Sequence, residues 1–202
     1  MMLEKTNPSI KTGLETLKFN NTSIGFTVLD FWKWSVSDLL SNATRGRLAE
    51  FIVASAVGIN RTAVRNEWSA YDLESDDGIK IEVKSAAYVQ SWHQNALSKI
   101  QFTIKPALYW DADTNKQAKE KKRHADVYVL CLLHHDNKST IDPLNLDHWE
   151  FYVLATKQLN DYTRSQHSIT LRSLKQLTNA VKYDYLKNKI LEKNLLNARS
   201  NG

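Results

Sequence analysis

The sequence has little of several residue types, and each shortage excludes a class of protein. Cys131 is the single cysteine, so no disulfide can form within the chain, and a disulfide-stabilised secreted scaffold is excluded. The six glycines are scattered and form no glycine-rich phosphate loop. The longest apolar run, residues 127–133, is too short to cross a membrane, and the first nine residues hold no apolar stretch of the signal-peptide kind. We therefore expect a soluble, cytoplasmic protein without membrane contact.

What is present is typical of one globular domain. The chain has 202 residues, of which 42% are hydrophobic and 24% charged, so we expect a single domain over 1–202. The formal net charge of +5 suits a polyanionic partner. Lysine and arginine cluster at 116–123 and again towards the C-terminus. Taken singly, each cluster is more typical of a solvated surface.

The first 40 residues show weak periodicity. Residues 1–27 read as an N-terminal arm of irregular elements. Residues 30–40 contain Phe31, Trp32 and Trp34, and they predict a short helix whose aromatic side chains pack on the body of the protein as core.

A longer helix is predicted over 42–57, with Asn42 or Thr44 as its N-cap and Gly58 at its end. Its buried stripe is predicted at Leu48, Phe51, Ile52 and Ser55. Glu50 lies one turn after Gly46 and one turn before Ala54, and these small neighbours would let that side of the helix approach another backbone. An exposed glutamate on an amphipathic helix is nevertheless the commoner case.

A β-hairpin follows, and its charge pattern fixes its register. Strands are predicted over 64–74 and 79–87, and in the second the charged residues alternate with apolar ones. A three-residue loop, 76–78, with positive φ at Gly78 keeps the apolar residues on one face. That register sets Leu73 against Ile81, Tyr71 against Val83, Glu74 against Lys80 and Asp72 against Glu82.

The remaining pattern indicates a sheet domain. Residues 86–97 fit a helix or a continuing strand, 100–104 a strand closed by Pro106, and 111–123 a loop or solvated helix. The run 127–133 is typical of a strand buried on both faces. A strand at 151–155 and helices at 171–177 and 183–195 complete an α/β or α+β domain, with its core at 42–133 and a closing strand and helices in 150–202.

Two facing acids, Asp72 and Glu82, would repel each other unless a cation lies between them. Carboxylate oxygens together with water and substrate phosphate are typical ligands of Mg²⁺. Lys84 lies on the same strand face as Glu82 and could orient water or offset phosphate charge. In the competing interpretation this face is a solvated surface, on which these residues pair across strands with Lys80 and Glu74.

In this arrangement the chain resembles the PD-(D/E)XK (restriction-endonuclease-like) nuclease superfamily over residues 42–133. The resemblance implies an α/β fold with a central mixed β-sheet flanked by helices. It also implies Asp72 and Glu82 as metal-binding acids, Lys84 as the catalytic lysine and Glu50 as a further catalytic and metal-binding acid. Mg²⁺ is the implied cofactor, with Mn²⁺ as a substitute. The segments 45–51 and 67–92 also resemble bacterial restriction endonucleases of unassigned specificity.

Two departures from the superfamily pattern are visible. Tyr71 stands where the motif has proline, which does no chemistry. Ser98 stands where the QxxxY signature of some DNA-processing exonucleases has tyrosine, four residues after Gln94, and this disfavours a recombination-type exonuclease.

The resemblance predicts an Mg²⁺-dependent DNA endonuclease that hydrolyses phosphodiester bonds with a metal-activated water, in a restriction-type setting or another. DNA is the expected partner, with a homodimer implied for double-strand cleavage. Ser85, Gln90 and Gln94 follow the proposed site and are candidates for nucleic-acid contact. One alternative is a catalytically inactive nucleic-acid-binding module of the same fold, and another is a protein-interaction module with tryptophan-rich surfaces.

Overall fold

The computed structural model describes residues 5–58 and 63–198, which form a mixed α/β fold. The strands are β1 (Thr16–Phe19), β2 (Thr22–Thr27), β3 (Leu73–Glu74), β4 (Lys80–Ala87), β5 (Gln101–Thr103), β6 (Trp110–Asp111), β7 (Lys116–Gln117), β8 (Val127–Leu133), β9 (Trp149–Ala155), β10 (Ser168–Thr170) and β11 (Ala180–Val181). The helices are α1 (Val28–Val36), α2 (Asn42–Val57), α3 (Thr156–Asn160), α4 (Leu171–Leu177) and α5 (Tyr183–Ala198), with a 3-10 helix at Leu146–His148.

A five-stranded mixed sheet forms the centre, with the strand order β11–β9–β8–β4–β3. Strands β4 and β8 are parallel, and the other neighbours are antiparallel. All seven residues of β8 are buried, as the apolar run predicted. The predicted fold class, a mixed sheet flanked by helices, is confirmed.

The two faces of the sheet carry separate cores. Helices α2 and α5 cover the face formed by Ile81, Val83 and the odd-numbered residues of β8. The two-stranded sheet of β5 and β10, with α3 and α4, covers the other face, where Ala86 and Tyr128 lie. Because side chains alternate along a strand, Lys80, Glu82 and Lys84 belong to this second face.

The N-terminal prediction is wrong in two respects. The described part of the predicted irregular arm contains the hairpin β1–β2, and Thr27 then caps α1 with a capping box closed by Asp30. The short helix exists, but its aromatic residues are not core: Phe31 is 54% exposed and Trp34 is 85% exposed. Periodicity could place a helix there, but it could not show that Phe31 and Trp34 stay outside both cores of the sheet.

Helix α2 has the predicted bounds with a different cap, and its buried stripe agrees with the prediction at Ile52 and partly at Leu48 but not at Phe51 and Ser55. Ser41, not Asn42 or Thr44, caps it by accepting a hydrogen bond from the Thr44 amide, while Gly58 ends it with φ of 82° as predicted. Phe51 is 68% exposed, and Ser55 is exposed as well. The helix is rotated so that its buried residues are Arg45, Ala49, Ile52, Val53 and Val57.

The hairpin has the predicted register. Leu73 faces Ile81 and Glu74 faces Lys80, and Gly78 has φ of 76° in the three-residue loop. The first strand is much shorter than the predicted 64–74, because only Leu73 and Glu74 pair with β4. The predicted pairs of Tyr71 with Val83 and of Asp72 with Glu82 are therefore absent from the strand pairing, because Tyr71 and Asp72 lie just before the strand and are not held to its alternation.

The long connection between β4 and β8 contains little regular structure. Beyond Ala87 the chain is neither helix nor strand until β5, and the predicted loop at 111–123 includes part of the small hairpin β6–β7. Among the residues that the structure describes, no helix is both long and apolar enough to cross a membrane.

Candidate active site

The candidate site lies at the edge of β4, just beyond the point where its partner strand β3 stops. The Asp72 amide donates to the Ile81 carbonyl at 3.1 Å, which continues the hairpin for one bond. At the next open position of β4 the acceptor is the Asp72 side chain in place of a strand carbonyl, since its Oδ2 accepts the Val83 backbone N–H at 2.8 Å. This bond satisfies an amide on an otherwise open strand edge and fixes one carboxylate there.

Glu82 and Lys84 come from β4 itself and form an ion pair on its second face. Lys84 Nζ lies 2.5 Å from Glu82 Oε1 and 3.9 Å from Asp72 Oδ2. The side chains of Asp72 and Glu82 are 17% and 19% exposed, so both acids are largely withdrawn from water. Lys84 therefore bridges the two acids that the hairpin register brought together.

Glu50 reaches the same edge from α2, and Arg65 links it to Asp72. Arg65 donates from Nε and Nη2 to the two Glu50 carboxylate oxygens, while Nη2 lies 3.6 Å from Asp72 Oδ1. Arg65 also donates from Nη1 to Glu67 at 2.7 Å. The Glu50 side chain is only 13% exposed.

Arg65 is a site residue that the sequence pattern did not indicate. It lies in a segment that the sequence assigned to a strand and that is irregular in the structure, and an arginine there is normally a solvated side chain. The available signal was electrostatic, because three gathered acids and one lysine leave a net negative charge that a further cation would offset.

Burial dominates the electrostatics of the site. It raises the pKa of Glu50 and of Glu82, and the charge of Asp72 raises the pKa of both further, while hydrogen bonds from Arg65 and charge from Lys84 oppose the rise. Burial by itself lowers the pKa of Lys84, but the nearby charges of Glu82 and Asp72 outweigh it and leave that pKa raised. Lys84 thus keeps its proton at neutral pH.

A pocket of about 560 Å³ opens beside these residues and runs along the edge of β4 towards β5. Gly46 lines it, and a Cβ added at Gly46 would meet no atom within 4 Å. Gly46, one turn before Glu50, therefore leaves open space in the pocket, whereas the sequence suggested that another backbone approaches the helix there.

Buried Arg45 forms the inner wall of this pocket. Its Nε donates to Ser85 Oγ at 3.1 Å and its Nη1 to Gln90 Oε1 at 3.0 Å. Gln90 is 6% exposed, and its side-chain Nε2 donates to the Ala87 carbonyl at 2.9 Å. The backbone N–H of Gln90 donates to Gln94 Oε1 at 2.6 Å. Ser85 and Gln90 line the pocket and all three side chains make internal bonds, so their contact with nucleic acid stays a prediction.

The acids do not form a ready metal cage. Across residues 5–58 and 63–198, no three histidine, cysteine, aspartate or glutamate side chains are grouped so that they could hold a metal ion. The reason is visible in the ion pairs, since Arg65 lies between Glu50 and Asp72 and Lys84 lies between Asp72 and Glu82.

The family comparison covers this whole constellation. Residues 23–173, about three quarters of the chain, match the family model described as bacteriophage T4 endonuclease IV. The chain belongs to the bacteriophage T4 endonuclease IV family. The matched segment contains α2, the β3–β4 hairpin and the central strands β8 and β9. No curated protein gives a significant match. A nuclease family agrees with a pocket lined by acids and a lysine.

Proposed function

We propose that this member of the endonuclease family is an Mg²⁺-dependent DNA endonuclease of the PD-(D/E)XK type. The observation that carries the proposal is that Glu50, Asp72 and Lys84, drawn from a helix, a hairpin and a strand, line one pocket, with Glu82 paired to Lys84 beside them. The endonuclease family and the resemblance to restriction endonucleases both support DNA as the substrate.

The oxygen chemistry of the donors suits a hard divalent cation, although the three acids are not grouped around a common position in the described structure. Asp72 and Glu82 would hold Mg²⁺ and Glu50 would support it. This ion prefers oxygen ligands and is usually bound by one or two carboxylates, with water and substrate phosphate in its remaining coordination positions. When bound, the metal supplies Lewis-acid chemistry at the phosphate and at water. Its positive charge would replace the compensation that Arg65 and Lys84 give the acids in the structure.

Lys84 acts in this proposal as a protonated donor. Because its pKa is raised, it is suited to orienting water and to stabilising negative charge on the phosphate in the transition state, and it is unsuited to accepting a proton. The products expected from the resemblance carry 5′-phosphate and 3′-hydroxyl ends. A homodimer would supply the two sites that double-strand cleavage needs.

Plasmid nicking tests the proposal. With Mg²⁺ we expect cleavage that EDTA abolishes and that Lys84→Ala lowers by about 10²-fold or more, as the loss of one transition-state donor does. Lys187→Ala, a change at an exposed lysine of α5, serves as the matched control. Cleavage that needs no metal and survives Lys84→Ala would contradict the proposal.

A catalytically silent DNA-binding module is the second candidate. The observation that favours it is the set of ion pairs with Arg65 and Lys84, which satisfies all three acids without a metal. It predicts salt-dependent DNA binding without cleavage and no heat of Mg²⁺ binding by calorimetry. Against it, Glu50 lies close enough to share Arg65 with Asp72, whereas a decayed site has no reason to keep its acids together.

A further inference from the structure

A second pocket of about 310 Å³ lies beside the candidate active site. Its lining includes six side chains that we call together the tyrosine pocket: Tyr71, Lys80, Tyr109, Lys122, Arg123 and His124. The volume is at the lower end of the range in which proteins bind small ligands.

The tyrosine pocket offers aromatic surfaces. The rings of Tyr109 and His124 are 5.8 Å apart at an angle of 53°, and Lys80 Nζ lies 5.5 Å from the centre of the Tyr71 ring. Next to them along the chain, Trp68 and Trp110 contact edge to face at 5.0 Å. Stacking on such rings is how proteins bind bases without reading their sequence.

The pocket also carries positive charge suited to phosphate. Lys80 and Lys122 are exposed, whereas Arg123 is buried and gives its hydrogen bonds to neutral oxygens, the Ile104 carbonyl and groups of Asn160 and Gln166. Two acids also touch residues of the pocket, since Glu74 accepts the Tyr71 hydroxyl and Asp126 Oδ2 accepts the Lys80 amide. Three cationic side chains line the pocket against these two carboxylates, so its net charge is positive.

The position of the pocket connects it with the chemistry of the active site. Lys80 and Lys84 lie on the same face of β4, four residues and so roughly 13 Å apart, with Glu82 between them. Tyr71 immediately precedes Asp72 in the chain. A DNA strand that follows β4 would span this distance in about four steps of 3.4 Å.

We propose that the tyrosine pocket binds one nucleotide of the DNA substrate within about four nucleotides of the cleaved bond. Its base contacts the rings of Tyr71 and Tyr109, and its phosphate contacts Lys80 and Lys122. The inference rests on the proposed function, because it takes the edge of β4 as the path of the strand.

Binding of short oligonucleotides in EDTA tests the base contact without cleavage. The probes are two fluorescent single strands of about eight nucleotides. One is an ordinary DNA strand, and the other is an abasic strand, which has the sugar-phosphate backbone without bases. We expect Tyr109→Ala to weaken binding of the ordinary strand by about 5-fold to 100-fold and to leave the abasic strand unaffected. Tyr109→Phe should bind as the wild type does, as should Tyr185→Ala, a control at an exposed tyrosine of α5.

The phosphate contact has its own expected result. Lys80→Ala and Lys122→Ala should weaken both probes and each lower the slope of log affinity against log salt by about one, whereas Lys187→Ala should not. If free deoxynucleotide competes as well as the ordinary oligonucleotide does, the pocket is a mononucleotide site and the inference is overturned. Equal effects of Tyr109→Ala on both probes, or no effect on either, would also overturn it. Loss of plasmid cleavage with these binding results intact would count only against the proposed hydrolysis.

Discussion

At the scale of single residues, the site is defined by acids that are costly to bury. Glu50, Asp72 and Glu82 are each less than one-fifth exposed, and each has an ion pair with Arg65, with Lys84 or, for Asp72, with both. Isolated buried carboxylates neutralise by taking up protons, so a protein keeps such a group charged only with nearby compensation. Arg65 and Lys84 supply that compensation in this structure.

The raised pKa of Glu82 gives a stability prediction with a definite sign. Burial raises this pKa above its usual value of 4.5, and the charge of Asp72 adds to the rise against Lys84. The folded protein then binds the Glu82 proton more tightly than the unfolded chain does, so this contribution to stability is complete below about pH 4.5 and lost as pH rises through the folded pKa. In EDTA, we expect the wild type to lose unfolding free energy relative to Glu82→Gln between about pH 4 and about pH 7, by about 1.4 kcal/mol for each unit of pKa rise.

Urea denaturation at the two pH values measures this difference. Glu120→Gln, at an exposed glutamate, is the control that should show no such trend. A difference in unfolding free energy between wild type and Glu82→Gln that stays constant with pH would show that burial does not raise the pKa of Glu82.

Arg65 makes a second prediction at this scale, because under the proposed function it would compete with a metal for the carboxylates of Glu50 and Asp72. We expect Arg65→Gln to lower the melting temperature in EDTA, since Glu50 and Asp72 lose their shared partner. The same variant should bind Ca²⁺ more tightly, by up to about 5-fold, when binding is measured by calorimetry. Weaker Ca²⁺ binding would instead indicate that Arg65 orients the acids for the metal.

At the scale of elements, α2 shows how one helix serves two environments. Its buried face packs Ala49, Ile52 and Val53 on the central sheet, while Glu50 projects past the strand edge into the site. Phe51 follows Glu50 and points to solvent, although the sequence pattern placed it in the core. The orientation of the helix thus leaves the Phe51 side chain in water and places Glu50 at the pocket.

This orientation predicts losses of stability of very different size for two neighbouring substitutions. Ile52→Ala should cost about 2–5 kcal/mol of unfolding free energy, because Ile52 is 4% exposed and its removal leaves a cavity. Phe51→Ala should cost less than about 0.5 kcal/mol, since its side chain is mostly in water already. Denaturant titrations of both variants measure the contrast, and a large loss at Phe51 would contradict the helix orientation.

At the scale of the whole molecule, the N-terminal elements stand apart from the two cores. In the described chain, neither core cluster includes a residue before Leu40, and the hairpin β1–β2 and helix α1 expose most of their apolar side chains. An ion pair at 3.0 Å links Lys5 to Asp113, but such an exposed pair contributes little.

We therefore expect the sheet domain to fold without these elements. Removal of residues 1–36 should lower the unfolding free energy by less than about 1 kcal/mol, because few apolar groups lose burial. Leu186→Ala, at a fully buried position of α5, should cost about 2–5 kcal/mol in the same urea titration. A truncated protein that fails to fold would show that the N-terminal elements stabilise the sheet through contacts other than core burial.

The sequence by itself determined the local elements that carry the motif. Alternation in β4, the apolar run of β8 and the glycines at 58 and 78 fixed two strands, a helix end and a hairpin register, because each depends on backbone conformation and neighbouring side chains. Only the tertiary structure decided which segments meet. It brought Arg65 between Glu50 and Asp72, exposed Phe51 and Trp34, and gathered the tyrosine pocket from the hairpin and the long connection before β8. Such contacts depend on how separate elements pack across one sheet, and no local periodicity encodes that.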